Sequence, residues 1–120
     1  MELKSILIVE DEDYLREEIA GALERKGYHV VSAPDGKAAL IALETMTTPC
    51  LILVDLMMPN MDGWELLEKV RELSVRTKLA HRALVMSGAS AAQDIAHQQG
   101  ADFLSKPFRV SELFEKISKY

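Results

Sequence analysis

The sequence predicts an α/β domain built on a doubly wound, five-stranded parallel sheet with five helices, and three observations carry that expectation. Five short apolar runs of strand length alternate with five stretches whose apolar residues recur at helical spacing. The strand-like runs are nearly continuous in apolar character, as strands covered on both faces are, and Gly, Pro and Asp punctuate the joins. Each crossover helix must bury its stripe against the sheet, so the strands run parallel and helices cover both faces. Right-handed crossovers leave few strand orders open, and for five strands the flavodoxin-like order 2-1-3-4-5 is the common one.

The elements follow in turn. Ser5 to Val9 is rich in Ile and Val and reads as a strand; Leu15, Ile19, Ala22 and Leu23 then recur at helical spacing until Gly27 supplies a stop. His29 to Ala33 is the second strand, and the turn pair Asp35 and Gly36 leads to a helix over Ala38 to Met46. Leu51 to Val54 is the third strand; after Gly63, Leu66, Leu67, Val70 and Leu73 mark a helix. Ser74 to Arg82 is expected to be the longest irregular stretch. Ala83 to Ser87 is the fourth strand, followed by a helix near Ala91 to Gln98 whose only apolar residues are Ala91, Ala92, Ile95 and Ala96, so its docking should be loose. Asp102 to Ser105 is the fifth strand, and Val110, Leu113, Phe114 and Ile117 mark the last helix.

Length and composition bound the function. A chain of 120 residues, 48% hydrophobic, fits one domain over residues 1–120 with a core of ordinary size. Lys and Arg number 14 against 19 Asp and Glu, and a net charge of −5 gives no electrostatic footprint for nucleic acid or anionic lipid. The lone Cys50 cannot form an internal disulfide, and MELKS leads into a strand rather than a signal-peptide core, which suits a reducing cytoplasm. No apolar run approaches the ~20 residues of a membrane helix.

The chemistry gathers where strands end. Glu10 and Asp11 end the first, Asp55 the third, Ser87 the fourth and Lys106 the fifth. In the 2-1-3-4-5 order the first and third strands are neighbours, and the crevice beyond their carboxyl ends is the topological switch point, where Glu10, Asp11 and Asp55 would meet. Three close carboxylates repel, and a divalent cation removes the conflict. Oxygen-only donors with room for water favour Mg²⁺, with Asp11 and Asp55 as direct ligands, the backbone carbonyl of Met57 as a third oxygen, and Glu10 acting through water. Glu12 and Asp13 read instead as a solvated helix N-terminus. An aspartate beside a metal, a hydroxyl and an ammonium suits phosphoryl transfer: the Asp55 carboxylate is the nucleophile, while Mg²⁺, Ser87 and Lys106 balance charge on the transferred group.

At this point the chain resembles the receiver domain of two-component response regulators over essentially its whole length. ILIVEDED is similar to the family's first strand with its acidic pair, DLMMPNMDG to its phosphoacceptor loop, LVMSG to its hydroxyl-bearing fourth strand, and GADFLSKPF to its fifth strand with lysine and proline. The resemblance implies that Glu10 and Asp11 form the acidic pair, that Asp55 accepts the phosphoryl group, that Ser87 is the switch hydroxyl, and that Lys106 is the motif lysine. It also implies that Phe103 is the switch aromatic, turning from an exposed to a buried position, and that the Lys106–Pro107 bond is cis. Glu10, Ser87 and Phe103 stand where the most familiar version has aspartate, threonine and tyrosine.

Partners implied by the resemblance are a histidine kinase or phosphotransfer protein as donor, a downstream protein or attached output domain as receiver of the signal, and a homodimer formed on phosphorylation. The output face would comprise the fourth helix, fifth strand and fifth helix, with Ile95, Phe103, Val110 and Phe114. On this reading the chain is a signalling module without turnover on an outside substrate, assisting only its own phosphorylation and dephosphorylation. Two other readings compete: a pseudo-receiver that signals without phosphate, opposed by the intact Asp11, Asp55, Ser87 and Lys106, and a small flavodoxin-like cofactor binder or Mg²⁺ phosphohydrolase. Against the last, EDED follows the first strand where a Gly-rich phosphate loop would be needed, and no DxD pattern follows Asp55. His29, His81 and His97 show no metal spacing and sit in polar settings, and the basic stretch Arg76, Lys78, His81 and Arg82 reads as a solvated loop.

Overall fold

The structure, a computed structural model, describes residues 4–56, 61–88 and 92–120. The order of elements is β1 (Ser5–Val9), α1 (Asp13–Arg25), β2 (His29–Ala33), α2 (Gly36–Glu44), β3 (Leu51–Asp55), α3 (Gly63–Thr77), β4 (Arg82–Ser87), α4 (Ala92–Gln98), β5 (Asp102–Ser105) and α5 (Val110–Ile117). All pairings are parallel, as the alternation of elements predicts, and the sheet order is β2-β1-β3-β4-β5, the common order expected for five strands.

Side-chain alternation along the central strands divides the core in two. Leu7, Val9, Ile52, Val54, Val85 and Phe103 face α2, α3 and α4, whereas Ile6, Ile8, Leu53, Leu84, Met86 and Leu104 face α1 and α5. This two-sided burial is why β1 is apolar throughout residues 6–9 and β3 throughout residues 51–54. Edge strand β2 is covered less and carries exposed His29 and Ser32.

Local chemistry sets the helix ends. Asp35 and Asp62 accept the amides of Ala38 and Glu65, capping α2 and α3, so the pair Asp35 and Gly36 opens α2 rather than standing apart from it as a turn. Asp62 also fixes where α3 begins, next to β3. α3 runs to Thr77, one turn past the last buried residue Leu73, which corrects the expected irregular stretch from Ser74. The Thr77 hydroxyl bonds the Leu73 carbonyl and Lys78 takes the left-handed conformation at φ 62°, so a residue other than glycine ends the helix. Of α4, only Ala92 and Ala96 are buried, in keeping with its sparse apolar content. Ala91, where that helix was expected to start, lies outside the described residues.

Candidate functional site

The site lies at the carboxyl ends of β1, β3, β4 and β5. Continuous pairing sets its levels: Val9 is opposite Val54, Asp55 opposite Met86, and Ser87 opposite Ser105. Glu10 follows β1 directly, its amide donating to the Ala33 carbonyl, and Lys106 follows β5, its amide donating to the Ser87 carbonyl at 2.8 Å. The backbone thus brings Glu10, Asp55, Ser87 and Lys106 to one end of the sheet before any side-chain contact is counted. Gly63 reinforces β3 from behind. Its amide donates to the Leu56 carbonyl, and a Cβ there would stand 2.8 Å from Leu56 Cδ2 and 3.0 Å from the Asp55 carbonyl oxygen.

Glu10, Asp55 and Ser87 are buried, although polar residues seldom are without partners, while Asp11 is exposed at the rim. Lys106 Nζ reaches Glu10 Oε1 at 2.8 Å and Asp55 Oδ2 at 3.3 Å, tying β5 to β1 and β3. The second Glu10 oxygen accepts the Glu12 amide at 3.3 Å, and Arg16 donates to the Glu10 carbonyl at 2.9 Å, anchoring α1 to the same corner. Glu12 and Asp13 stay exposed at the start of α1, with Asp13 paired to Arg16 at 2.6 Å.

Carboxylate oxygens of Glu10, Asp11 and Asp55 lie within 4.8 Å of one another. Among the described residues, three acids therefore face the Lys106 ammonium. Burial, only partly offset by the Lys106 hydrogen bond and aggravated by the Asp55 charge, pushes the Glu10 carboxyl up to about 6. Burial alone would depress Lys106, but Glu10 and Asp55 outweigh it and hold the ammonium above its ordinary range. The excess negative charge and the hard, oxygen-only donor set fit a divalent cation of the Mg²⁺ kind. Met57, whose carbonyl is the expected third oxygen, lies outside the described residues.

Phe103 is placed on β5 three residues before Lys106, as the resemblance implies, and the Lys106–Pro107 bond is cis. Its ring is already inside, only 7% exposed and packed with Val85 and Ala96, so the exposed starting position expected for it is not the one seen. A phenylalanine ring strands no hydroxyl when buried, which removes the cost that would hold a tyrosine at the surface. Ile95 is 41% exposed on α4. Val110 and Phe114 are a correction: they line a groove against α1 with Ala22 and Lys26, and the Lys26 ammonium sits 4.8 Å above the Phe114 ring. Helical spacing finds the apolar residues of α5 but not which neighbour covers them.

His81, expected in a solvated loop, is instead partly enclosed. Its ring is half-buried, with Nδ1 accepting the Cys50 amide at 3.0 Å and lying 3.4 Å from the Cys50 thiol, and Nε2 has no hydrogen-bond partner among the described residues. The pair sits at the amino end of β3, the opposite end from Asp55. Arg82, the last residue of the expected irregular stretch, instead begins β4 and lies over the Tyr120 ring at 5.2 Å.

An acidic trio at the β1–β3 switch point, a buried hydroxyl on β4 and a lysine bridging from β5 define a class, and the chain belongs to the response regulator receiver domain family, whose model matches residues 6–118. It is 33% identical to the response regulator receiver protein CpdR of Brucella abortus, over 98% of this chain and 96% of that one. It is 34% identical to the alkaline phosphatase synthesis transcriptional regulatory protein PhoP of Bacillus subtilis, over 95% of this chain but only 47% of PhoP. Among solved structures, the chemotaxis protein CheY4 of Vibrio cholerae superposes with a TM-score of 0.85 at 27% identity, covering 98% of both chains. No described helix is long and apolar enough to cross a membrane.

Proposed function

We propose that the chain, as a single receiver domain over residues 1–120, takes a phosphoryl group from the phosphohistidine of a histidine kinase or phosphotransfer protein onto Asp55. The observation that carries this reading is the Lys106 ammonium held between Glu10 and Asp55, at 2.8 and 3.3 Å, beside an acidic trio with a charge deficit. An Asp55 carboxylate oxygen attacks phosphorus, the O–P bond forms as the N–P bond of the phosphohistidine breaks, and the departing imidazole keeps the electron pair of that bond. Lys106, already paired with Asp55, turns to the transferred oxygens and offsets their charge, while Ser87 donates its hydroxyl to one of them. Asp11, Asp55 and the Met57 carbonyl would hold Mg²⁺, with Glu10 assisting through water, and the ion would supply charge neutralisation during transfer. The mouth of the site is open at Asp11, where an ion or donor can enter.

The added phosphoryl carries about −1.5 to −2 charge and draws Ser87 and Lys106 toward it. The shift is passed to the face made by α4, β5 and α5, with Ser87 and Phe103 as switch residues, and a downstream protein, an attached output domain or a second copy reads that face. Such a module has no turnover on an outside substrate and works in the cytoplasm, where kinase and phosphoryl donor meet. Similarity to CpdR along nearly its whole length and to the amino-acid span of only about half of PhoP supports both free-standing and attached forms of output.

Incubation with acetyl phosphate, with and without Mg²⁺, tests the reading by intact mass. The expected result is an Mg²⁺-dependent adduct of one phosphoryl group that is lost in Asp55→Asn. An unmodified wild-type chain would instead support a phosphate-independent module, and sustained phosphate release would support a hydrolase.

A further inference from the structure

The amino end of β5, remote from the acidic trio, holds a second polar cluster that phosphoryl transfer does not use. Asp102 accepts the Phe103 amide at 2.8 Å on Oδ1 and the Tyr120 hydroxyl at 3.2 Å on Oδ2, and Lys116 Nζ stands 3.6 Å from Oδ1. Tyr120 in turn packs partly into the α1–α5 side of the core and carries the Arg82 guanidinium over its ring. One carboxylate therefore joins the start of β5 to the last turn of α5, and Arg82 adds the start of β4. Burial would raise the Asp102 carboxyl, but the Phe103 amide and the charge of Lys116 outweigh it and keep the group below its ordinary range, so the acceptor is fully ionised at neutral pH.

β5 is an edge strand, paired on one side only, with β4, so its other side is held by no strand-to-strand hydrogen bonds. It spans Asp102–Ser105 with Lys106 next, so its two ends are held by different groups: Lys106 by Glu10 and Asp55, Asp102 by Lys116 and Tyr120. We propose that Asp102 is the coupler that makes the C-terminal turn of α5 move with β5, so that a pull on Lys106 at the phosphoacceptor site is delivered to Lys116 and Tyr120. This rests on the proposed phosphorylation of Asp55 and names the exit route of its signal. Reciprocity follows: anything that holds Tyr120 in place changes the affinity of the site for a phosphoryl group by the same factor.

The test uses the whole chain with Mg²⁺ and beryllofluoride, binding being read by Trp64 fluorescence and the far end by NMR of the Tyr120 ring and the Lys116 side chain. The expected result is that beryllofluoride shifts both sets of resonances. Asp102→Asn and the milder Tyr120→Phe, relieved of dragging α5, should bind beryllofluoride more tightly, by about fivefold or more for Asp102→Asn. Asp35→Ala, which removes the α2 cap elsewhere, serves as the control for simple destabilisation and should leave that affinity unchanged. If beryllofluoride binds but Tyr120 and Lys116 do not respond, or if Asp102→Asn binds like the wild type, Asp102 is only a tether and the inference falls while the reading of Asp55 stands. If the wild type shows no Mg²⁺-dependent binding, both fall together.

Discussion

At the scale of single residues, burial decides what each ionisable group can do. Glu10 and Cys50 are both almost fully buried, yet Glu10 shares an ammonium and sits at about 6, whereas the Cys50 thiol, with no charge to support its ionised form, is pushed up to about 12. The thiol is consequently inert as a nucleophile. His81 is one residue whose titration shows in stability. Burial holds it below its ordinary range, and its Nδ1 must stay unprotonated to accept the Cys50 amide. Between the folded value and the unfolded one near 6.5, the unfolded chain binds more protons, so stability is full above that range and falls as pH drops through it. Urea midpoints measured between about pH 7.5 and about pH 5.5 should fall more steeply for the wild type than for His81→Asn. The opposing contribution of Glu10, whose raised pKa favours the fold at lower pH, is common to both proteins and cancels. Equal slopes would remove His81 from the account. Nothing in sequence marks this histidine, because its partner amide is 31 positions away.

At the scale of elements, the junction of β3 and α3 is the tightest point near the site. Gly63 lies against the Leu56 backbone, where a Cβ would come within 2.9 Å of Leu56 Cα, and neither strand nor helix can yield without moving Asp55. Gly63→Ala should cost about 1–3 kcal/mol by overpacking. It should also slow acetyl-phosphate labelling of Asp55, since the carbonyl of that residue is pushed directly. Denaturant unfolding and mass-resolved labelling check the two effects, and a variant with wild-type labelling would mean that β3 is indifferent to Gly63. The glycine was legible in DLMMPNMDG as a turn signal, but its close approach to β3 was not. Apolar spacing located all five helices, yet placed α2 over Ala38 to Met46 where it runs Gly36–Glu44 and stopped α3 too early, because Ser74–Thr77 buries little and ends without glycine.

At the scale of the molecule, folding gathers charges that are far apart in sequence into one site. Asp55 and Glu10 gain proximity only when β1 and β3 pair, so the unfolded chain has no comparable ion site. Mg²⁺ should then raise the thermal midpoint, the native state gaining about 2.7 kcal/mol when the ion is at a hundredfold excess over its dissociation constant. In Asp11→Asn the gain should shrink markedly, as calorimetry with and without the ion will show; an undiminished rise would place the ion elsewhere. Reversing a two-state equilibrium from 1:99 to 99:1 takes ~5.5 kcal/mol of differential affinity, which sets the scale of the work expected of phosphorylation. The sequence by itself determined the five strands, the five helices and the residues at the strands' carboxyl ends, because those depend on short-range apolar periodicity and on where each run stops, whereas the strand order was expected only as the common arrangement for five parallel strands. Only the tertiary structure decided that Glu10 binds Lys106, that Phe103 rests inside, that Val110 and Phe114 face α1, and that Asp102 clasps the end of α5. Those outcomes depend on which surfaces meet across the fold, and local periodicity carries no information about a neighbour that arrives from elsewhere in the chain.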